Sequence, residues 1–322
     1  MTAQALQHDP QPPTPAPAPP THDIHTLAST HYENFSVLSR LVPKRLRTDF
    51  AAVYAFCRRA DDLADEQGSD AEARHRALSL LSSFRAELDR ATSTSDPDSL
   101  PDPAFRALSH TIRNHNLSPL PFHQLLDAFE QDQRVTRYDS WPQLLHYCER
   151  SANPVGRIVL ALLGHADGSG ASSNSDDAQR ISHSDSICTA LQLTNFWQDV
   201  RRDLLERDRV YMPREDTGLS PEDLHDLMQR EHDPAARIRF IKALRPLVQR
   251  TWPLFHSARH LPSSLSPDVA PIVWLFAAGG KSVLRSVERA GCATLWTRPT
   301  LTPMRKASLV LVASTRLWRL FP

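Results

Sequence analysis

Phe50, Tyr54 and Cys57 stand at helical spacing on one face, and the next two positions of that face are Asp61 and Asp65. With about 3.6 residues per turn, this apolar stripe should face a core, yet it turns acidic at its C-terminal end. Carboxylates placed there are unfavourable unless something cationic sits opposite. A second helix spans Cys188 to Asp203, with Gln192, Asn195, Asp199 and Asp203 on one side. Its other side carries Leu193, Phe196, Trp197, Val200 and Leu204. Upstream of Asn195 apolar residues occur on nearly every side, the pattern of a helix inside a bundle.

The rest of the chain from residue 23 onward also reads as helices, broken at 92–103, 165–180, 211–222 and 262–267 by Pro, Gly, Ser, Asn and Asp. Ser140-Trp-Pro-Gln143 and Ser220-Pro-Glu-Asp223 have the look of capping boxes with proline in the first turn. Few runs alternate with period two, no hairpin dipeptide is flanked by β-branched strands, and no repeat has a solenoid period. The expectation is a single all-α domain over 23–322. Residues 1–22 hold seven prolines among Gln, Thr and Ala, a composition that predicts a disordered, partly polyproline tail.

Composition narrows the function. The 322 residues include 26 Pro and only 9 Gly, with no Gly-rich dinucleotide or P-loop motif. Lys plus Arg and Asp plus Glu number 37 each, so no overall basic field draws nucleic acid. The four cysteines, Cys57, Cys148, Cys188 and Cys292, lie far apart without zinc spacing, which argues against a metal–thiolate site or a disulfide framework. No basic stretch precedes an apolar run at the N-terminus, and the apolar stretch 269–280 falls short of the roughly 20 residues that span a bilayer. These features predict a cytoplasmic protein. The C-terminal segment 307–322, with Leu309, Val310, Leu311, Leu317, Trp318, Leu320 and Phe321 among Arg316 and Arg319, has two readings: contact with the inner face of a membrane, or a closing helix packed on the core.

Like charges one turn apart cost only ~0.2–0.5 kcal/mol per pair on an exposed helix. Either acidic motif alone therefore reads equally well as a solvated face paired with Arg58, Arg59, Arg202 and Arg207. Two motifs that both continue apolar faces point further, to carboxylates facing each other across a bundle cavity. Such an oxygen-rich cage suits Mg²⁺, which takes one or two carboxylates, waters and the phosphate oxygens of a substrate. The chemistry expected is Mg²⁺–diphosphate binding in an otherwise apolar pocket.

At these residues the chain resembles the squalene/phytoene synthase family, whose fold is the all-α isoprenoid synthase bundle. The resemblance runs from about His31 to Gly291. It rests on Asp61-Asp62-x-x-Asp65, on Tyr147-Cys148 leading to Val155-Gly156, on Gln192-x-x-Asn195-x-x-x-Asp199-x-x-x-Asp203, and on Arg209-Val-Tyr211-Met-Pro213. The family implies that Asp61, Asp65, Asp199 and Asp203 bind Mg²⁺, with Asp62 and Asn195 assisting. It also implies that Arg58 and Arg209 hold phosphate, with local pairing to Asp62 or Asp208 as the competing use of each arginine. Tyr147 and Tyr211 are expected to bind diphosphate or steady a cation through the ring face. His31, Asn34 and Gln192 would contact substrate. Phe35, Phe56, Phe129, Phe196 and Trp197 are open to two uses, lining a prenyl tunnel or filling the core.

Within the family the chain looks most like the bacterial hydroxysqualene synthases of hopanoid biosynthesis. Ser151-Ala-Asn-Pro-Val-Gly156 and Asn195-Phe-Trp-Gln-Asp199 carry that likeness. Head-to-head condensing members are expected to show Ala-Gly-x-Val-Gly at 152–156, Arg at position 198, and a Tyr near Gly279 and Gly280. The resemblance implies Mg²⁺-dependent conversion of presqualene diphosphate and water to hydroxysqualene and diphosphate, with separate enzymes making the substrate and processing the product. The alternative is condensation of farnesyl diphosphate or a similar prenyl diphosphate, as in squalene, presqualene diphosphate or phytoene synthases. More distant is a non-catalytic assembly protein on the same fold, as among mitochondrial relatives, where eroded aspartate motifs are expected.

Overall fold

A computed structural model describes residues 41–166, 168–315 and 317–320. The proline-rich segment 1–22 and the candidate residues His31, Asn34 and Phe35 lie outside the described residues. The fold is all α. Among the described residues the only β-pairing is an isolated parallel bridge between Arg137 and Val210.

Many of the described prolines stand at helix starts, where a missing N–H leaves nothing unpaired. Helix α1 (Arg47–Asp65) leads into α2 (Ala71–Ser93) and α3 (Pro103–Asn114). Asp102 caps α3 just before Pro103, accepting from the Ala104 N–H at 2.8 Å. Next come α4 (Leu120–Asp132), α5 (Trp141–Ser151) and α6 (Asn153–Leu162). The long α7 (Ser175–Gln198) passes into the short α8 (Val200–Glu206). After one turn at α9 (Arg214–Thr217), α10 (Pro221–Gln229) starts on a complete capping box between Ser220 and Asp223. The other expected box is half formed: Ser140 caps α5, but the Gln143 side chain accepts from the N–H of Asp139 rather than that of Ser140.

Helix α11 (Pro234–Ser257) contains Pro246 and Pro253, and α12 (Ala270–Arg289) follows it. Helix α13 (Pro303–Ser314) ends the chain with a 3₁₀ turn at Leu317–Leu320. The C-terminal segment thus starts its helix earlier than residue 307. It packs through Leu309, Ala313 and Trp318 while leaving Met304, Leu311 and Leu317 exposed. The expected break at 165–180 is shorter than the composition suggested, because Asn174 caps α7 through the Asp176 N–H.

The core has three parts. One is built by α1–α4 and α6 around Phe56, whose ring lies 5.3 Å from both Phe84 and Phe122. A second surrounds Trp197, which is fully buried and donates its indole N–H to Thr251 Oγ1 at 2.9 Å. The third joins α7, α12 and α13 around Trp274 and Trp318. Phe56, Phe196 and Trp197 are therefore core residues, with Phe129 packed at the edge.

Candidate active site

The site forms where the C-terminal end of α1, the end of α4 and the α7–α8 junction meet. Asp61 and Asp65 lie one turn apart on α1, as the periodicity predicted. Partial burial and the neighbouring Asp65 carboxylate push Asp61 up to about 6, against the pull of Arg58 and Arg207. Arg58 stays local, 3.1 Å from Asp61 and 2.5 Å from Asp62.

The second acidic motif is not one continuous helix. Its backbone departs from α geometry at Asp199 (φ −106°, ψ 17°), between α7 and α8. The hydrogen bonds Asp199 N–H to Asn195 carbonyl and Asp203 N–H to Asp199 carbonyl, both 2.9 Å, carry the chain across this distortion. The bend turns Asp203 inward, to 5% exposure. Burial raises its carboxyl to about 7; Arg207 offsets part of that shift and Asp199 adds to it. Asp199 is held by Arg298 at 2.5 and 3.1 Å. Asn195 is exposed and Gln192 half-buried on the same side of α7.

Two arginines meet Asp65, and one of them also reaches the second motif. Arg207 lies 2.8 Å from Asp65 and 3.2 Å from Asp203. Arg209 lies 3.0 Å from Asp65 and 3.7 Å from Asp132. The intervening Asp208 makes this possible. It adopts the left-handed region (φ 51°), which Asp tolerates better than most residues, and Arg74 and Arg137 pin its carboxylate. Arg209 therefore bridges helices instead of pairing with Asp208.

Asp132 was not anticipated from the sequence. It is buried at the end of α4, accepts from the Tyr147 hydroxyl at 2.8 Å and from the Tyr211 hydroxyl at 3.5 Å, and is raised to about 6 by burial against the pull of Arg209. Burial and Asp132 hold Tyr147 and Tyr211 protonated. Tyr138 and Phe196 complete the aromatic wall, with the Phe196 and Tyr211 rings stacked at 3.8 Å. Arg209 keeps its charge despite burial because the Asp132 and Asp65 carboxylates face it. The signal for Asp132 was the one that marked Asp61: a carboxylate on an apolar stripe, here three residues beyond Phe129.

Gln198, singled out by position, donates its side-chain N–H to the Pro299 carbonyl at 2.5 Å and ties down the segment that carries Arg298. Asn153 accepts from Thr189 across α6 and α7. Two surface recesses of about 410 and 460 Å³ lie elsewhere, one lined by Asp49, Arg106 and His110, the other by Ile238 and Arg245. Among the described residues, no group of three or more His, Cys, Asp or Glu stands ready to enclose a metal ion. The aspartates are instead paired with arginines.

The sequence profile of squalene/phytoene synthases matches residues 28–305. The chain belongs to this family. It is 32% identical to a hydroxysqualene synthase of Rhodopseudomonas palustris over 233 residues, 72% of this chain and 71% of that one. It is 27% identical to a 15-cis-phytoene synthase of Pantoea ananas over 301 residues, 91% of this chain and 90% of that one. The solved squalene synthase HpnC of Alicyclobacillus acidocaldarius superposes with a TM-score of 0.66 at 38% identity, covering 83% of this chain and 92% of that one. The fold is thus that of the isoprenoid synthases, and the chain is an enzyme of the squalene/phytoene synthase family.

Proposed function

We propose that this enzyme converts presqualene diphosphate and water to hydroxysqualene and diphosphate. The observation that carries the reading is the convergence of both acidic motifs, through Asp65 and Asp203, on one point beside a buried aromatic wall. The likeness to hydroxysqualene synthases supports the choice of reaction. The donor set is all oxygen, which suits a hard cation, and Asp61 and Asp203 each have a second carboxylate close enough to raise them further. Asp61, Asp62, Asp65, Asp199 and Asp203 would hold Mg²⁺. Bound there, the ion would stabilise the charge that develops on departing diphosphate.

The chain's own residues do the rest. The ester C–O bond breaks with its electron pair leaving on diphosphate, which the Arg209 guanidinium would meet. The rings of Tyr147 and Tyr211 would offer negative potential to the carbocation left behind. That cyclopropylcarbinyl cation rearranges with cleavage of the cyclopropane ring, and one water then forms the new C–O bond to the rearranged cation and passes its proton to solvent. The buried wall limits water near the cation, which favours a single positioned molecule over indiscriminate quenching. Supply of presqualene diphosphate and removal of hydroxysqualene fall to separate enzymes.

Incubation with presqualene diphosphate and Mg²⁺, without NADPH, should release hydroxysqualene, while farnesyl diphosphate alone is left unconsumed. Squalene formed only with NADPH, or efficient consumption of farnesyl diphosphate, would assign the chain to the head-to-head condensing reaction instead.

Peripheral membrane contact belongs to the same reading, since the substrate and product carry long hydrocarbon chains. No helix among the described residues is long and apolar enough to cross a membrane. Beyond Glu288 the sequence has no acidic residue but holds Arg289, Arg298, Arg305, Lys306, Arg316 and Arg319. Exposed Met304, Leu311 and Leu317 lie in the same segment, a combination suited to an anionic bilayer. Co-sedimentation with vesicles rich in anionic lipid, lost in high salt, is expected; equal binding to neutral vesicles, or none to either, contradicts it.

A further inference from the structure

The two arginines that meet Asp65 are not equivalent. Arg209 is 7% exposed at its side chain and has a partner outside the motifs, Asp132. Arg207 is 26% exposed, and its two ion-pair partners are Asp65 and Asp203, one carboxylate from each motif. It caps the end of α8, one residue before the left-handed Asp208 that Arg74 and Arg137 hold in place. The guanidinium thus reaches the shared point of the site from a fixed base, on a long and partly exposed side chain. Asp61 also feels its charge.

Clustered carboxylates repel one another unless a cation lies between them. We infer that Arg207 is the resident counter-cation of the metal-free enzyme: it clips the two acidic motifs together, and yields Asp65 and Asp203 to the metal when the metal–diphosphate substrate arrives. Arg209, anchored by Asp132, stays. The inference rests on the proposed metal-binding reading and adds to it a competition: every metal ion that binds must displace a side chain already there. Arg207 is in this sense a positioning residue. It keeps the motifs at binding distance without acting on the substrate.

The test compares wild type, Arg207→Gln and Arg207→Lys by thermal melting and by Mg²⁺ titration, with inorganic diphosphate as the anion. In EDTA, Arg207→Gln should melt several degrees below wild type, and Arg207→Lys should fall between them because one ammonium cannot fork onto two carboxylates. Saturating Mg²⁺ and diphosphate should close that gap, and Mg²⁺ should bind several-fold more tightly to Arg207→Gln than to wild type. A gap that persists unchanged with metal, while wild type is stabilised by it, overturns the handover and leaves the metal site standing. Weaker diphosphate binding in Arg207→Gln, with Mg²⁺ affinity unchanged, overturns it too, by making Arg207 a substrate ligand. If Mg²⁺ and diphosphate fail to stabilise wild type at all, the metal-binding reading falls, and the handover falls with it.

Discussion

Tyr147 donates its hydroxyl proton to Asp132 at 2.8 Å, and the two side chains are 3% and 7% exposed. The bond ties α5 to the end of α4 and places an acid and a phenol beside Arg209. Replacing Tyr147 with Phe leaves one buried carboxylate oxygen without its donor. The expected cost is about 1–3 kcal/mol in denaturant unfolding. A change near zero would show that the hydroxyl already has water to bond.

Asp132 should also give the protein a pH signature. Its carboxyl is raised from 3.8 to about 6, chiefly by burial. Between those values the native state therefore holds more protons than the unfolded state, and stability falls as pH rises. Asp132→Asn cannot titrate. The stability difference between wild type and this variant should shrink from about pH 4 to about pH 6, by on the order of 2 kcal/mol. A difference that is flat across this window contradicts the assignment.

Helices α6 and α7 pack tightly at Gly156, where an added Cβ would overlap Ser184 Oγ and Cys188 Sγ. Gly156→Ala should therefore destabilise by ~1–3 kcal/mol through overpacking. Wild-type thermal stability in this variant would mean the two helices separate at little cost.

Asp199 and Arg298 separate catalysis from stability. Their pair is half exposed on the arginine side, so Arg298→Ala should shift unfolding by less than ~1 kcal/mol. Asp199→Asn should abolish turnover with the melting temperature unchanged or slightly higher, because a carboxylate leaves a repulsive cluster. Retained activity combined with strong destabilisation would make Asp199 a structural residue.

Much of this was legible along the chain. Polar caps followed by proline marked the starts of α5 and α10, and the acidic ends of two apolar faces marked Asp61, Asp65, Asp199 and Asp203. What stayed hidden is long-range or locally irregular. Arg209 meets Asp65 across 144 residues of sequence, a pairing no local pattern encodes, and it depends on the left-handed turn at Asp208. The break at Asp199 lies inside a perfectly periodic stretch, so helical spacing placed Asp203 beside Asp199 when the bend sends them to different partners. Asp132 was a single acid on a stripe, and one such residue does not stand out as two spaced motifs do. Arg58 shows the reverse: its local pairing with Asp61 and Asp62 is what short-range spacing alone implies.

The central claim is that a carbocation formed beside Tyr147 and Tyr211 is captured by water. The most direct measurement is mass spectrometry of the product formed from presqualene diphosphate and Mg²⁺ in ¹⁸O-labelled water without NADPH. The account predicts hydroxysqualene with the label in its hydroxyl group. An unlabelled alcohol, or squalene appearing only when NADPH is added, would contradict it.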